Sequence, residues 1–128
     1  MTLPVEYQRA LQRAKLLYLT TVGANGKSGT VPVLFLFDDD AMYFCSQRDT
    51  LKVRRIRQTG KATVHAGKPD GPGLSCSAQL LEDVPDLQTR LLSSYRRRYW
   101  LRWLFLGPRL RQAFADDTEV LIRLTPEV

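Results

Sequence analysis

The sequence predicts a mainly-β fold with some α: six strands in a small antiparallel barrel, closed or partly closed, flanked by short helices. Three observations lead there. The first half of the chain reads as successive strands joined by tight turns, which makes neighbours antiparallel. Helical segments are inserted singly between strands, and no repeated strand-helix-strand rhythm of a parallel sheet occurs. At 128 residues and 44% hydrophobic content, residues 1–128 have the size of one domain, able to bury roughly two-thirds of the unfolded chain's surface.

After Pro4, residues 5–15 place Val5, Leu11 and Ala14 at helical intervals and predict a short opening helix. "LLYLTTVG" (16–23) reads as a strand, Asn25-Gly26 supplies turn chemistry, and "TVPVLFLF" (30–37) completes a hairpin with β-branched and aromatic residues. The acidic turn "DDD" (38–40) leads into a third strand, "AMYFCS" (41–46). Asp49 or Thr50 then offers an N-cap, Leu51, Val53 and Ile56 offer apolar contacts, and Gly60 offers a stop, so a helix of about two turns follows. "KATVHA" (61–66) and "GLSCSAQLLED" (73–83) are two further strands, joined by the loop "GKPDGP". From Pro85 onward Leu87, Leu91, Tyr95, Leu101 and Leu104 recur at helical spacing, predicting a longer helix that Gly107-Pro108 breaks. "TEVLIRLTPEV" (118–128) is the sixth strand.

Cys45 and Cys76 lie in strand-like runs with no Cys or His partner at metal spacing, so they are expected as buried, reduced thiols, with no metal site. The opening residues are polar where a signal peptide needs an apolar segment, and the run "YWLRWLFLG" is too short to span a bilayer, so a cytoplasmic protein is expected. Net charge is +6, from 19 Lys and Arg against 13 Asp and Glu, which favours anionic partners. The cations cluster: six fall in residues 48–61 and seven in residues 90–111. The second cluster interleaves arginines with Tyr95, Tyr99, Trp100, Trp103 and Phe105. It reads as an amphipathic helix that buries its Leu and Trp face and lets arginines reach water.

The first cluster carries more chemistry. A strand ending in small polar residues, followed by a helix start, presents unpaired N–H groups and the positive end of the helix dipole to an anion. Lys52 adds a point charge in that first turn, Arg55 three residues on shares its helix face, and Thr50 and Ser46 can give hydroxyl hydrogen bonds. His65, the only histidine, sits within a strand and is expected as a wall or interface residue. No acid, base or nucleophile stands out, so catalytic residues stay unassigned.

In their order, "LTTV", "VPV", "MYFCS", Thr50-Leu51-Lys52, "VRRIRQTGKATV" and "SAQLLED" resemble the pyridoxamine 5'-phosphate oxidase-like family, the FMN-binding split β-barrels. The resemblance is close over residues 16–83 and looser beyond. It implies a homodimer with a flavin, usually FMN, at each end of the subunit interface. By the same resemblance Lys52 holds the phosphate, with Leu51 at a neighbouring position where the family sometimes has a cation. Main-chain groups of Thr30, Val31, Pro32 and Val33 would follow the isoalloxazine edge, and Cys45, Ser46 and Gln47 would lie near the ribityl chain. Two departures argue against oxidation of vitamin B6. Thr30 and Phe35 stand where members acting on pyridoxamine phosphate carry arginine and lysine, and their C-terminal Arg and His signature has no counterpart.

The expected function is therefore an FMN-dependent oxidoreductase acting on an unidentified small molecule, with no nucleic-acid or membrane partner. Alternatives are a deazaflavin-dependent reductase of the same fold, whose acidic cofactor tail would suit the arginine-rich helix, and a non-catalytic flavin- or haem-binding module. A small-barrel nucleic-acid binder is the remaining rival, distinguished by steep salt dependence.

Overall fold

The computed structural model describes residues 3–127. Along the chain run α1 (Val5–Arg13), β1 (Leu17–Val22), β2 (Ser28–Val33), β3 (Leu36–Asp38), β4 (Ala41–Gln47), α2 (Leu51–Thr59), β5 (Lys61–Ala66), β6 (Gly73–Leu81), α3 (Pro85–Arg98), α4 (Trp100–Ala115) and β7 (Glu119–Pro126). The strands form one sheet in the order β2-β1-β5-β6-β7-β4-β3, with every pairing antiparallel. Its two edge strands, β2 and β3, are consecutive in the chain and separated by only Leu34 and Phe35. The three Cα steps from Val33 to Leu36 span at most about 11 Å, so the sheet must curl until its edges nearly meet. That is a split β-barrel.

Seven strands replace the six expected because residues 30–37 do not run as one. At the corner the backbone leaves the ladder and is satisfied by side chains of α3. The Tyr95 hydroxyl donates to Leu34 O at 2.6 Å, Phe35 N donates to the Tyr99 hydroxyl at 3.5 Å, and Arg98 donates to Phe35 O at 3.2 Å. Arg98 also donates to Ala14 O, and the Tyr99 hydroxyl donates to Lys15 O. The end of α3 thus ties the barrel corner to the segment after α1.

Local chemistry accounts for the other turns. In the β1-β2 hairpin Gly26 takes a positive φ of 81°, while Lys27 N donates to the Asn25 side chain at 3.1 Å. Asp39 and Asp40 both have positive φ, the arrangement a two-residue hairpin needs between β3 and β4. Gly60 closes α2 in the left-handed region, with its N–H on Ile56 O.

The residues from Pro85 to Ala115 form two helices, and the break falls at Tyr99, not at Gly107-Pro108. Tyr99 leaves helical geometry (φ −125°, ψ 43°) because its buried ring stacks edge-on against Tyr95 and its hydroxyl is held by Lys15 O. Pro108 stays inside α4. It removes one helical donor to the Leu104 carbonyl, but both residues are exposed, so water can serve that oxygen. Gly107 leaves room for the Trp103 indole, which an added Cβ would meet at 2.6 Å.

Two apolar cores result. Inside the barrel, Leu17, Leu19, Phe35, Met42, Phe44, Val64, Ile122 and Leu124 pack with Leu11 of α1 and with Val53 and Ile56 of α2. Outside, α3 and α4 cover the opposite face of β4 and β7, bringing Leu91, Tyr95, Tyr99 and Leu110 onto Tyr43 and Leu121. The middle of β4 is consequently buried on both faces. The arginine-rich segment departs from expectation in one respect. Trp103 is half-buried and Leu110 buried, but Trp100, Leu101, Leu104 and Phe105 are 63%, 62%, 66% and 80% exposed. No helix among the described residues is long and apolar enough to cross a membrane.

Candidate functional site

The second core leaves a gap where α4 passes the end of β4 and the start of α2. This cavity, of about 400 Å³, is lined by Pro32, Val33 and Leu34 at the barrel corner, Cys45, Ser46 and Gln47 of β4, Thr50 and Lys52 at the start of α2, Tyr95 of α3, Leu106, Arg109, Leu110 and Ala113 of α4, and Glu119 of β7. Its volume falls within the range of small-molecule sites.

The start of α2 is built to leave donors free. Thr50 is the N-cap, yet its side chain does not cap the helix. Its hydroxyl instead donates backwards to Gln47 O at 2.9 Å and lies 3.2 Å from the Ser46 hydroxyl. No cap side chain therefore occupies the first-turn N–H groups, which remain able to meet an anion. Val53 and Ile56 anchor the helix in the barrel end, and that fixes Lys52 on the cavity side. The Lys52 ammonium has its pKa lowered, first by burial, with the nearby Glu119 carboxylate acting in the opposite direction.

Glu119 is the group that sequence reasoning missed. It is the first residue of β7, opposite Gln47 of β4, and shares a strand face with Leu121. The same alternation puts Val120, Ile122 and Leu124 inside the barrel. Helix α4 covers the Glu119 face, so the residue is only 7% exposed, and its Oε2 is buried without a hydrogen-bond partner. Burial raises its pKa, while Cys45, Lys52 and Arg109 oppose the rise. Burial, followed by the charge of Glu119, pushes the Cys45 thiol far above its ordinary value, so Cys45 remains a thiol. The Tyr95 hydroxyl is likewise held protonated by burial. Arg109 was counted in the second basic cluster but assigned to water; α4 carries it to the cavity. The only sequence signal for either residue was a charge beside an apolar run.

Of the ten residues expected at the site, Pro32, Val33, Cys45, Ser46, Gln47, Thr50 and Lys52 come together. Three do not. Leu51 is 54% exposed and Val31 38% exposed, and the exposed Thr30 shares a hydrogen bond with Thr20 across the hairpin at 2.7 Å. Arg55 also goes elsewhere: it donates to Thr21 O at 3.3 Å and lies against Gly23 and Gly29 of the hairpin. Arg48 is structural too, gripping Glu82 through both carboxylate oxygens and Asp117 through a third contact at 2.7 Å. His65 lines the β5-β6 loop, its Nδ1 3.0 Å from Gly71 O. Phe35 is fully buried beneath the Arg98 guanidinium, 5.0 Å from the ring centre. Both cysteines are free, Cys76 in the barrel core and Cys45 at the cavity. Among the described residues no cluster of His, Cys, Asp or Glu could hold a metal ion.

Fold and site together define the class: a split β-barrel with an anion-ready cavity where its fourth strand hands over to a helix. The family model for pyridoxamine 5'-phosphate oxidase matches residues 3–128, and the chain belongs to that family. Solved structures share the fold at low identity. The haem storage protein HutZ of Vibrio cholerae superposes with a TM-score of 0.72 at 17% identity, covering 100% of this chain and 92% of its own. A FAD-binding protein of Mesorhizobium loti gives 0.69 at 14%, covering 97% and 87%. An F420 reductase gives 0.61 at 19%, covering 98% and 97%. No curated protein matches the chain in sequence.

Proposed function

We propose that the chain is a flavin-dependent oxidoreductase that holds FMN in the cavity between β4, α2 and α4 and acts on a small molecule. One observation carries this reading: Lys52, the open first turn of α2, and the hydroxyls of Thr50 and Ser46 converge on a cavity that also reaches the barrel corner at Pro32 and Val33. The residues present suit the group. Lys52 and the helix start would take the phosphate, Cys45, Ser46 and Gln47 would border the polyol, and main-chain groups of Pro32 and Val33 would border the ring. When bound, the flavin supplies the hydride chemistry. The chain's part is to orient the cofactor and, through Leu106, Leu110 and Tyr95, to keep water from it.

Thr30, Val31 and Leu51 are exposed in the single chain, and this reading assigns them to the side of the site closed by a second copy in a homodimer. Pigment released from freshly purified protein tests the proposal. A yellow protein releasing FMN by mass, or one that takes up FMN saturably when titrated, supports it; a protein with no flavin and no saturable uptake overturns it.

A deazaflavin is the second reading, favoured by Arg109 at the cavity and by the exposed Arg96, Arg97 and Arg102 on the same two helices, which would suit an acidic tail. Parallel titrations with the two cofactors separate them. A haem-binding module gains less support, because the only histidine, His65, is tied to the β5-β6 loop and does not line the cavity.

A further inference from the structure

Glu119 is out of place in a cavity meant for an anion. A phosphate drawn to Lys52 and Arg109 arrives beside a carboxylate that burial already disfavours in its charged form. Two like charges in one partly dehydrated site cannot both persist at low cost. The unpartnered Oε2 offers a resolution, because a proton there removes the repulsion and converts an idle acceptor into a donor.

We propose that Glu119 is a proton-carrying member of the anion site: it takes one proton from solvent as the ligand's phosphate enters, and donates that O–H to the anion. The balance is simple. One proton moves from water to Oε2, no other bond changes, and the proton returns when the ligand leaves. Affinity for the anionic ligand therefore rises as pH falls.

The neighbours on every packed element are consistent with this assignment. On β4 the Cys45 thiol is held protonated, and Gln47 does not titrate. On α3 the Tyr95 hydroxyl is also held protonated. On α4 the Arg109 guanidinium lines the same cavity. Beyond the carboxyl, Arg48 is engaged by Glu82 and Asp117. Lys52 on α2 is the one neighbouring amine, its pKa lowered first by burial while the Glu119 charge opposes the fall. Glu119 itself has a raised pKa, so it reaches the protonated form more readily than an exposed carboxyl.

This inference rests on the FMN reading of the cavity, and its test separates the two. FMN affinity and proton uptake are measured calorimetrically in two buffers of different ionisation heat, between about pH 5.5 and about pH 8, for the wild type, Glu119→Gln and Glu119→Ala. Loss of the Glu119 charge lets the Lys52 pKa fall further in the free variants, which can only add to their proton uptake, so a smaller uptake still reports Glu119. The expected result is tighter binding to both variants at the alkaline end, roughly tenfold for each pKa unit by which the anion raises the carboxyl. At the acid end the advantage over wild type vanishes for Glu119→Gln, whose amide can still donate, and turns into a loss for Glu119→Ala, while proton uptake is smaller in both variants. Equal pH slopes and equal uptake in all three proteins would overturn the inference and leave the FMN site standing. Weaker binding to both variants at the alkaline end would also overturn it, making Glu119 an acceptor for a ligand hydroxyl instead. Failure of the wild type to bind FMN at any pH removes both readings. Thermal melts establish that each variant is folded, and either variant alone decides the outcome.

Discussion

Replacing Lys52 with alanine is the most direct perturbation of the proposed cofactor site. In the folded chain this ammonium is half-buried, its pKa is lowered mainly by burial, and Glu119 is the first of the groups that oppose the fall. A phosphate at the helix start would supply a charge-assisted hydrogen bond, worth about 1.5–3 kcal/mol. Its loss converts to roughly ten- to 150-fold weaker FMN binding. Arg57 is the control. It lies five residues on, in the last turn of α2, fully on the solvent side. Five residues advance a helix by about 7.5 Å. A unit charge at about 10 Å in water contributes about 0.4 kcal/mol before screening, so Arg57→Ala should change affinity by about twofold or less. Quenching of FMN fluorescence at near-physiological salt measures both. Equal losses for the two variants would mean that the basic segment acts as a diffuse field, and the assignment of Lys52 as an anchor would fail.

Four further outcomes are expected. Tyr95→Phe leaves the Leu34 carbonyl at the barrel corner without its 2.6 Å donor and should cost about 1–3 kcal/mol in urea unfolding; no loss would mean that water replaces the hydroxyl. Phe44→Ala empties a fully buried position in the barrel core and should destabilise by about 3–5 kcal/mol in the same assay. For the free protein, the raised pKa of Glu119 means that the folded state keeps its proton to higher pH than the unfolded chain. Stability is then lost as pH rises from the ordinary value of 4.5 through the folded pKa, and Glu119→Gln should flatten that decline in melts recorded across the interval. Phe105→Ser alters a residue 80% exposed in the single chain, so monomer stability should barely move; a shift in sedimentation toward the monomer would place this face of α4 in a subunit interface.

Much of the fold was legible because its signals are local. Asn25-Gly26, the Asp39-Asp40 turn and Gly60 each specify a backbone conformation from their own chemistry, and β1, β4 and β5 beside them fall within two residues of the positions read from sequence. The two misreadings share one cause. Residues 30–37 look like one strand because nothing nearby says that the carbonyls of Leu34 and Phe35 will be taken by Tyr95 and Arg98, more than sixty positions away. Gly107-Pro108 looks like a helix end, since local rules weigh the missing N–H but not the solvent available to the Leu104 carbonyl. The helix breaks instead at Tyr99, whose hydroxyl is held by Lys15 O, so in both cases a tertiary contact set the boundary against a sound local preference.

The same division explains the site. Seven of its expected residues lie within one hairpin strand and the β4-α2 segment, where order along the chain nearly fixes position in space. Arg109 and Glu119 reach the cavity only because α3 and α4 fold back over β4 and β7, turning the outer face of the sheet into a second core. A sequence reader assigns that face to solvent and so discounts a glutamate at the head of a strand. Once α4 covers it, Glu119 holds the one buried, unpartnered carboxylate oxygen among the described residues. The helices thus do more than cap the barrel. Helix α4 brings Arg109 to the cavity and closes over Glu119 of β7, so under the proposed reading the charge of the ligand, and not its shape alone, would govern binding.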